Sequence, residues 1–365
     1  MTIGFTAIPV PQGSTWTDLP GTRKLPLPAR LVAAIDRAGG ALVRTVYAVT
    51  DGGRTAFGLG LHRAHTAQEK LTGLVGDHDL IGELLTRAGE YAQQAGALVV
   101  KAELDPHDTD TIAAALDGGF RQLRTPTQPG PIPAGWDATP VGFIHRGHRS
   151  PSRELGYYRQ TTDITCGPVA LLTALHGFGL HPAPTRGDEL RTWRASTLIP
   201  DTDAYGLALI ARQHGADALV VANRTGPLVL DPTLAGWELD LREDLHAELA
   251  DQARQAGIGQ IEQFGVEDVR ALVASGSIVV LLIDELTMHA VPAAHWVTVH
   301  GLLDDALLID DPWTDADLGE SWIDAHELPI RDKDLAGMAG WDRYQAMIAV
   351  EPTQHGVRRA TARSV

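Results

Sequence analysis

A single cysteine, Cys166, stands in 365 residues, so an intramolecular disulfide framework is excluded. Aromatic residues are sparse at 5%, and the cores must therefore be built mainly from aliphatic side chains. No apolar run approaches the roughly 18–20 residues that span a bilayer. The N-terminus, M-T-I-G-F-T-A-I-P-V-P, lacks a basic start followed by a long apolar core, which argues against a signal peptide. No repeat or low-complexity tract occurs. These absences lead to the expectation of a soluble, cytoplasmic protein with no membrane partner. Basic charge is also short in one half. Residues 1–150 carry 14 Lys/Arg and 14 Asp/Glu, whereas residues 151–365 carry the other 16 basic and 32 acidic groups, the whole of the net −16. That imbalance opposes nucleic-acid binding. Solubility explains it, with a cationic substrate as the alternative.

The remaining signals divide the chain. Residues 1–40 are rich in Pro and Gly, with one helix expected over Pro28 to Arg37. Strands are expected over Leu42 to Val49 and Thr55 to Leu61, joined by Asp51-Gly52-Gly53, a hairpin turn. Leu80, Ile81, Leu84, Leu85, Ala88, Tyr91 and Ala92 share one face of a helix ending near Gly96. Ala97 to Leu104 reads as a buried strand, Thr109 to Leu116 as a second helix, and Phe120 to Leu123 as the start of another strand. Residues 125–152 hold six prolines and read as a linker, with room for a strand near Val141 to Ile144. The expected organisation is an N-terminal unit over 1–124, a linker over 125–152, a second unit over 153–351 and a mobile tail over 352–365. In the second unit, a polar, Pro-containing excursion covers 181–203. Helices are expected at Ala204 to His214, Arg242 to Ala256 and Val266 to Ala274. Strands are expected at Ala218 to Ala222, Ser277 to Ile283, His295 to Leu303 and Ala306 to Ile309, the last two a hairpin across Asp304-Asp305.

The strand, helix, strand, helix, Gly-Phe order over about 60–130 resembles the second half of GNAT-type N-acetyltransferases. In that family a Gly-rich turn at the first of these helices cradles the acetyl-CoA pyrophosphate with backbone amides. The aligned stretch here is G-D-H-D-L-I-G-E-L-L, Gly76 to Leu85. Asp77 and Asp79 would repel a pyrophosphate. The region is therefore read as a degenerate GNAT-like domain, a catalytically silent scaffold or recognition module, and no cofactor is expected.

Chemistry concentrates at Q-T-T-D-I-T-C-G-P-V-A-L-L, Gln160 to Leu172. The apolar run after Cys166 reads as a helix whose first turn carries the thiol, where unpaired N–H groups and the helix dipole favour a thiolate. Pro168 suits that turn because a missing N–H is harmless there. A cysteine nucleophile needs a base, a partner to orient the base, and oxyanion donors. His295 opens a strand in A-A-H-W-V-T-V-H-G, and Asp311 follows the next strand in L-I-D-D-P-W. The intervening hairpin would bring them together, with Asp310 the competitor of Asp311. Gln160 and the Cys166 N–H are the candidate oxyanion donors. The bland alternatives are a small buried cysteine, a core histidine and a surface glutamine. His289, His295 and His300 lack metal-ligand spacing, and no metal is expected. Trp296 and Trp313 are read as packing, and Asp163 as holding the loop before Cys166 through backbone bonds.

The three motifs Q-T-T-D-I-T-C-G-P-V-A-L-L, H-W-V-T-V-H-G and I-D-D-P-W, with Val266 to Asp284 before the histidine, resemble papain-fold cysteine peptidases. The likeness is to bacteriocin-processing, double-glycine leader peptidases and their stand-alone relatives, over about 151–350. It implies an α+β fold, a papain-like peptidase domain preceded by the α/β GNAT-like one. It also implies roles: Gln160 for the oxyanion, Cys166 as nucleophile, His295 as base and acid, Asp311 as orienter. The implied reaction is cleavage of a peptide or small amide through a Cys166 thioester. Two alternatives stay open: an amide-forming acyltransferase or peptide ligase using the same thioester, and a non-catalytic binding protein made from retired enzyme folds. With no transmembrane segment or ATPase module in the sequence, the leader-cleaving exporter itself is not expected.

Overall fold

The computed structural model describes residues 3–19, 25–38, 42–228 and 233–353. From residue 354 onward, the expected mobile tail lies outside them. The first half builds a seven-stranded sheet from β1 (Gly4–Val10), β2 (Leu42–Asp51), β3 (Arg54–Arg63), β4 (Gln68–Val75), β5 (Val99–Leu104), β6 (Arg121–Gln122) and β7 (Val141–His145). The spatial order is β1-β2-β3-β4-β5-β7-β6. Only β4 and β5 run parallel, joined by the helix α2 (His78–Gln94). Helices α1 (Ala29–Arg37) and α3 (Thr109–Asp117) complete this half. The β2–β3 turn places Gly52 and Gly53 at φ of 57° and 90°, which only glycine adopts readily. The apolar face of α2, from Leu80 to Ala92, packs on Tyr47, Val49, Val100 and Ala102. Each fully buried Leu or Ile there contributes about 1.5–3 kcal/mol.

The second half forms another seven-stranded sheet, from β8 (Ala216–Ala222), β9 (Gly259–Ile261), β10 (Ile278–Asp284), β11 (Ala294–Leu303), β12 (Ala306–Asp310), β13 (Leu328–Arg331) and β14 (Ala346–Pro352). Its order is β13-β12-β11-β10-β14-β8-β9, antiparallel except between β8 and β9. The helices are α4 (Cys166–Gly177), α5 (Arg186–Ser196), α6 (Ala204–Gln213), α7 (Trp237–Gln255), α8 (Val266–Ser275), α9 (Leu286–His289), α10 (Trp322–Ala325) and α11 (Asp332–Met338). Strand β10 explains its own unbroken apolar run. Ile278, Val280 and Leu282 face the core of α4 and α6. Val279, Leu281 and Ile283 face the core of α8 and α11. Buried on both faces, the strand has no polar alternation to show. Helix α4 is buried from Gly167 to Leu175, as an apolar helix without a polar face should be.

Several elements differ from expectation. The excursion over 181–203 contains α5, started by a reciprocal cap between Thr185 and Asp188. Strands β1, β4, β9, β13 and β14 were not anticipated. The strand expected near Val141 to Ile144 is β7, which pairs antiparallel with β5 and β6.

The two sheets meet along a shared seam. Ala67, Leu98, Val99, Leu123, Ile144, Tyr157, Leu303, Leu308, Trp322 and Ile323 form one buried cluster. Gly142 is tight there, since a Cβ would lie 2.9 Å from Ile323 and 3.0 Å from Trp322. Buried charges cross the same seam. Lys70 Nζ donates to Asp324 Oδ2 at 2.6 Å, and Lys101 Nζ to the carbonyls of Ile323 and His326. Arg146 pairs with Glu327. No helix among the described residues is long and apolar enough to cross a membrane.

Candidate active site

The loop before Cys166 is held by a residue the sequence reading passed over. Glu189 on α5 is fully buried. Its Oε1 accepts from the Thr161 N–H at 2.7 Å and the Thr165 hydroxyl at 2.5 Å. Its Oε2 accepts from the hydroxyls of Tyr158 and Thr161, both at 2.9 Å. Asp163, expected to hold this loop, is exposed instead, and the bonds come from Glu189. Helix α4 then begins at Cys166. Gly167 follows because the first turn packs closely, with a Cβ there only 3.1 Å from Thr202 and 3.2 Å from Leu207. Pro168 lies in that first turn, where N–H groups have no intrahelical acceptor.

The hairpin of β11 and β12 does what the spacing suggested. His295 near the start of β11 meets Asp311 just past β12, with Nε2 2.8 Å from Asp311 Oδ1. Adjacent residues on a strand face opposite ways. Asp310 accordingly turns to a different group, accepting from His326 Nδ1 at 2.9 Å and the Glu327 N–H at 2.8 Å, with His300 Nε2 at 3.5 Å. His300 is thus remote in role from His295, as a buried member of the Asp310 cluster. Nδ1 is the ring nitrogen that Asp311 leaves unused, and the Cys166 thiol is among the groups that raise the His295 ring.

Gln160 is buried, and its Nε2 donates to the Thr162 carbonyl at 2.8 Å. A carbonyl can only accept, which fixes which end of the amide is nitrogen. Among the described residues Gln160 Oε1 has no partner. The Gln160 N–H bonds the Pro312 carbonyl at 2.9 Å, tying this loop to the Asp311 segment. Arg159 reinforces the tie by stacking over Trp313 and donating to Thr314. Trp296 packs in the core of the second sheet.

Two further charged groups sit on the His295–Asp311 pair. Glu285 Oε1 lies 3.4 Å from His295 Nε2. Arg63, from β3 of the first sheet, donates through Nη1 to Asp311 Oδ2 at 2.5 Å. The half of the chain read as catalytically silent therefore touches the site. Burial alone would push the His295 ring below its ordinary 6.5, but Glu285 and Asp311, with the bonds to Asp311 and Cys166, hold it well above. Burial would likewise raise the Asp311 carboxyl, yet Arg63 and His295 outweigh it and hold it well below the usual carboxylate range. Glu285, His289 and Asp311 place ligand atoms within 4.8 Å of one another. Both Asp311 oxygens are already bonded, to His295 and the Trp313 N–H on one side and to Arg63 on the other. The two neighbouring cations also oppose a metal ion, so the cluster fits a proton-holding network better than a metal centre.

A pH prediction follows from the raised His295. Such a group adds stability that is fully present below about 6.5 and is lost as pH rises through its higher folded value. Glu285→Gln lowers that folded value, so the loss of stability above about pH 6.5 should be smaller and should level off at a lower pH than in the unaltered protein. Denaturant midpoints from pH 5 to 10 measure this, and superimposable curves would refute the role of Glu285.

Cys166 at a helix start and the bonded His295–Asp311 pair at a hairpin are the candidate site. The chain belongs to the Peptidase_C39 like family, whose model matches residues 155–351. Among solved structures, it is similar to a double glycine motif protease from an AMS/PCAT transporter in complex with the leader peptide. That match has 11% identity, covers 57% of this chain and 100% of the other, and has a TM-score of 0.32. It is also similar to the ribosomal-protein-S18-alanine N-acetyltransferase from Escherichia coli, at 17% identity over 39% of this chain and 91% of the other, with a TM-score of 0.24. At those scores neither likeness bears on the chemistry. No curated protein matches.

Proposed function

We propose that this protein is a cysteine peptidase-like enzyme that cleaves a peptide or amide bond through a thioester on Cys166. The observation that carries the reading is the bonded His295–Asp311 pair, which lies with the thiol at the start of α4 inside the family-matched segment. Cys166 attacks the carbonyl beside the His295 imidazolium, and His295 passes its proton to the leaving amine. The ring then takes a proton from water as the water attacks the thioester. Gln160 and the Cys166 N–H are the proposed oxyanion donors. Exposed Ile164, Leu286 and Val291 lie on the segments leading into Cys166 and His295, and they suit a peptide with apolar side chains. In this reading residues 1–124 form a GNAT-like region that carries no acetyl transfer, residues 125–152 connect it to the catalytic unit of 153–351, and Asp77 and Asp79 disfavour acetyl-CoA. Arg54 binds Asp79 at 2.9 Å at the same helix start.

Digestion of a peptide library by the full chain, followed by mass spectrometry with and without hydroxylamine, tests this. Water-derived products, diverted to hydroxamates by the amine, are expected. Absence of both, together with a Cys166 that iodoacetamide leaves unlabelled near neutral pH, would refute it. Gln160→Ala should lower kcat by about 10²–10³-fold with little change in KM, the effect of losing one oxyanion donor. An unchanged kcat would remove Gln160 from the mechanism.

A further inference from the structure

The guanidinium of Arg63 is fully buried and fully engaged. Nη1 donates to Asp311 Oδ2 at 2.5 Å, Nε to Glu320 Oε1 at 2.7 Å, and Nη2 to Glu320 Oε2 and the Trp313 carbonyl, both at 3.0 Å. Asp311 Oδ1 is held separately by His295 and the Trp313 N–H, both at 2.8 Å. The Asp311 backbone is fixed as well, its N–H to the Ala325 carbonyl and its carbonyl by the Tyr157 hydroxyl. Without Arg63, one carboxylate oxygen would face a buried seam without a donor, and the carboxylate could rotate away from His295. Arg63 belongs to β3 of the first sheet, outside the family-matched 155–351. A peptidase segment of that extent does not contain its own clamp on Asp311.

We propose that Arg63 is a positioning residue that fixes the Asp311 carboxylate for His295, and that the N-terminal sheet is thereby a required part of the active unit. The proposal rests on the cysteine-peptidase reading above. An arginine fits the task because its planar fork can hold two carboxylates at once, which a lysine ammonium cannot do with the same geometry. The charged and titratable groups facing the pair are Glu285 just before α9 and His289 at its end, Arg63 from β3, Glu320, Tyr157 and Cys166. A second ion pair crosses the seam without touching Asp311 or His295, and it supplies the control: Lys70 with Asp324.

The test is the pH profile of Cys166 alkylation by iodoacetamide in the full chain. Three variants are compared: Arg63→Lys, the charge-balanced Arg63→Met/Glu320→Gln, and the charge-balanced control Lys70→Met/Asp324→Asn. In the unaltered protein Cys166 should be labelled readily at pH 6. Both Arg63 variants should slow labelling at pH 6 about tenfold. The control should match the unaltered protein. Unmoved profiles in the Arg63 variants overturn the proposal, and so does an equal shift in the control, which would mean the seam acts only through folding. An Arg63→Lys profile like the unaltered one beside a shifted double variant also overturns it, since charge alone would then suffice. If the double variant does not fold, Arg63→Lys against the control decides. An ordinary thiol profile in the unaltered protein refutes the peptidase reading itself, a result separate from any of these.

Discussion

Cys166→Ala should abolish amide cleavage while leaving the fold in place. The expected loss in kcat is on the order of 10⁴-fold or more, because the thioester route disappears and only binding and oxyanion contacts remain. Stability should change by no more than about 1 kcal/mol. The thiol is small and only partly buried, and α4 is held by Val169, Leu171, Leu172 and Leu175 below the first turn. Turnover and the denaturant midpoint, measured on the same preparation, separate the two effects. Full retention of the protein's native action in Cys166→Ala would favour a binding protein built on this fold. A large drop in the midpoint would mean that Cys166 is first a packing residue.

Asp311→Ala should be the most destabilising single change at the site, costing about 3–5 kcal/mol. The carboxylate is fully buried and offsets Arg63 on one side and His295 on the other. Removing it leaves a buried guanidinium with only Glu320 and a carbonyl. The pH dependence has a defined sign. A carboxyl held below its unfolded value contributes stability above about pH 3.9 and loses it as pH falls through the folded value. The difference in unfolding free energy between the unaltered protein and Asp311→Ala should therefore be largest near neutrality and shrink below about pH 4. Urea titrations at pH 3.5, 5 and 7 measure this. A constant difference across that range would mean that the folded protein does not hold the Asp311 carboxyl below its unfolded value.

Much of the site was legible because its signals are local or nearly so. A helix start after Cys166, a strand opened by His295, and a tight hairpin ending at Asp311 each follow from a few neighbouring residues. The preference for Asp311 over Asp310 rests on its place before Pro312 at the strand exit and on the family likeness, and in the structure Asp310 turns to His326 instead. Glu189 was not legible. It sits on a helix inside a polar stretch read as loop, and a glutamate in such a stretch looks solvated until Thr161, Thr165 and Tyr158 are seen around it. Arg63, Lys70 and Lys101 were hidden for the same reason. Cations on strands ordinarily mark a solvent face, and only the docked second sheet turns that face into an interior. β4 was missed because Gln68, Glu69 and Lys70 disguise a buried strand as a polar connection. Glu285 lacks a motif altogether, and only the distance to His295 gives it a role.

The 248-residue separation between Arg63 and Asp311 bears on how the chain is made. At roughly 5–20 residues per second, about 12–50 s of synthesis separate the guanidinium from the carboxylate it meets. Over that interval the first sheet can assemble on the ribosome with its future interior cations still in water. Cys166 emerges before His295 and Asp311 as well, so a nascent chain carries the thiol without the ring and carboxylate that flank it in the finished protein. On the proposed mechanism the thiol gains its partners late in biosynthesis, only when the final third of the polypeptide closes over strands laid down at its beginning.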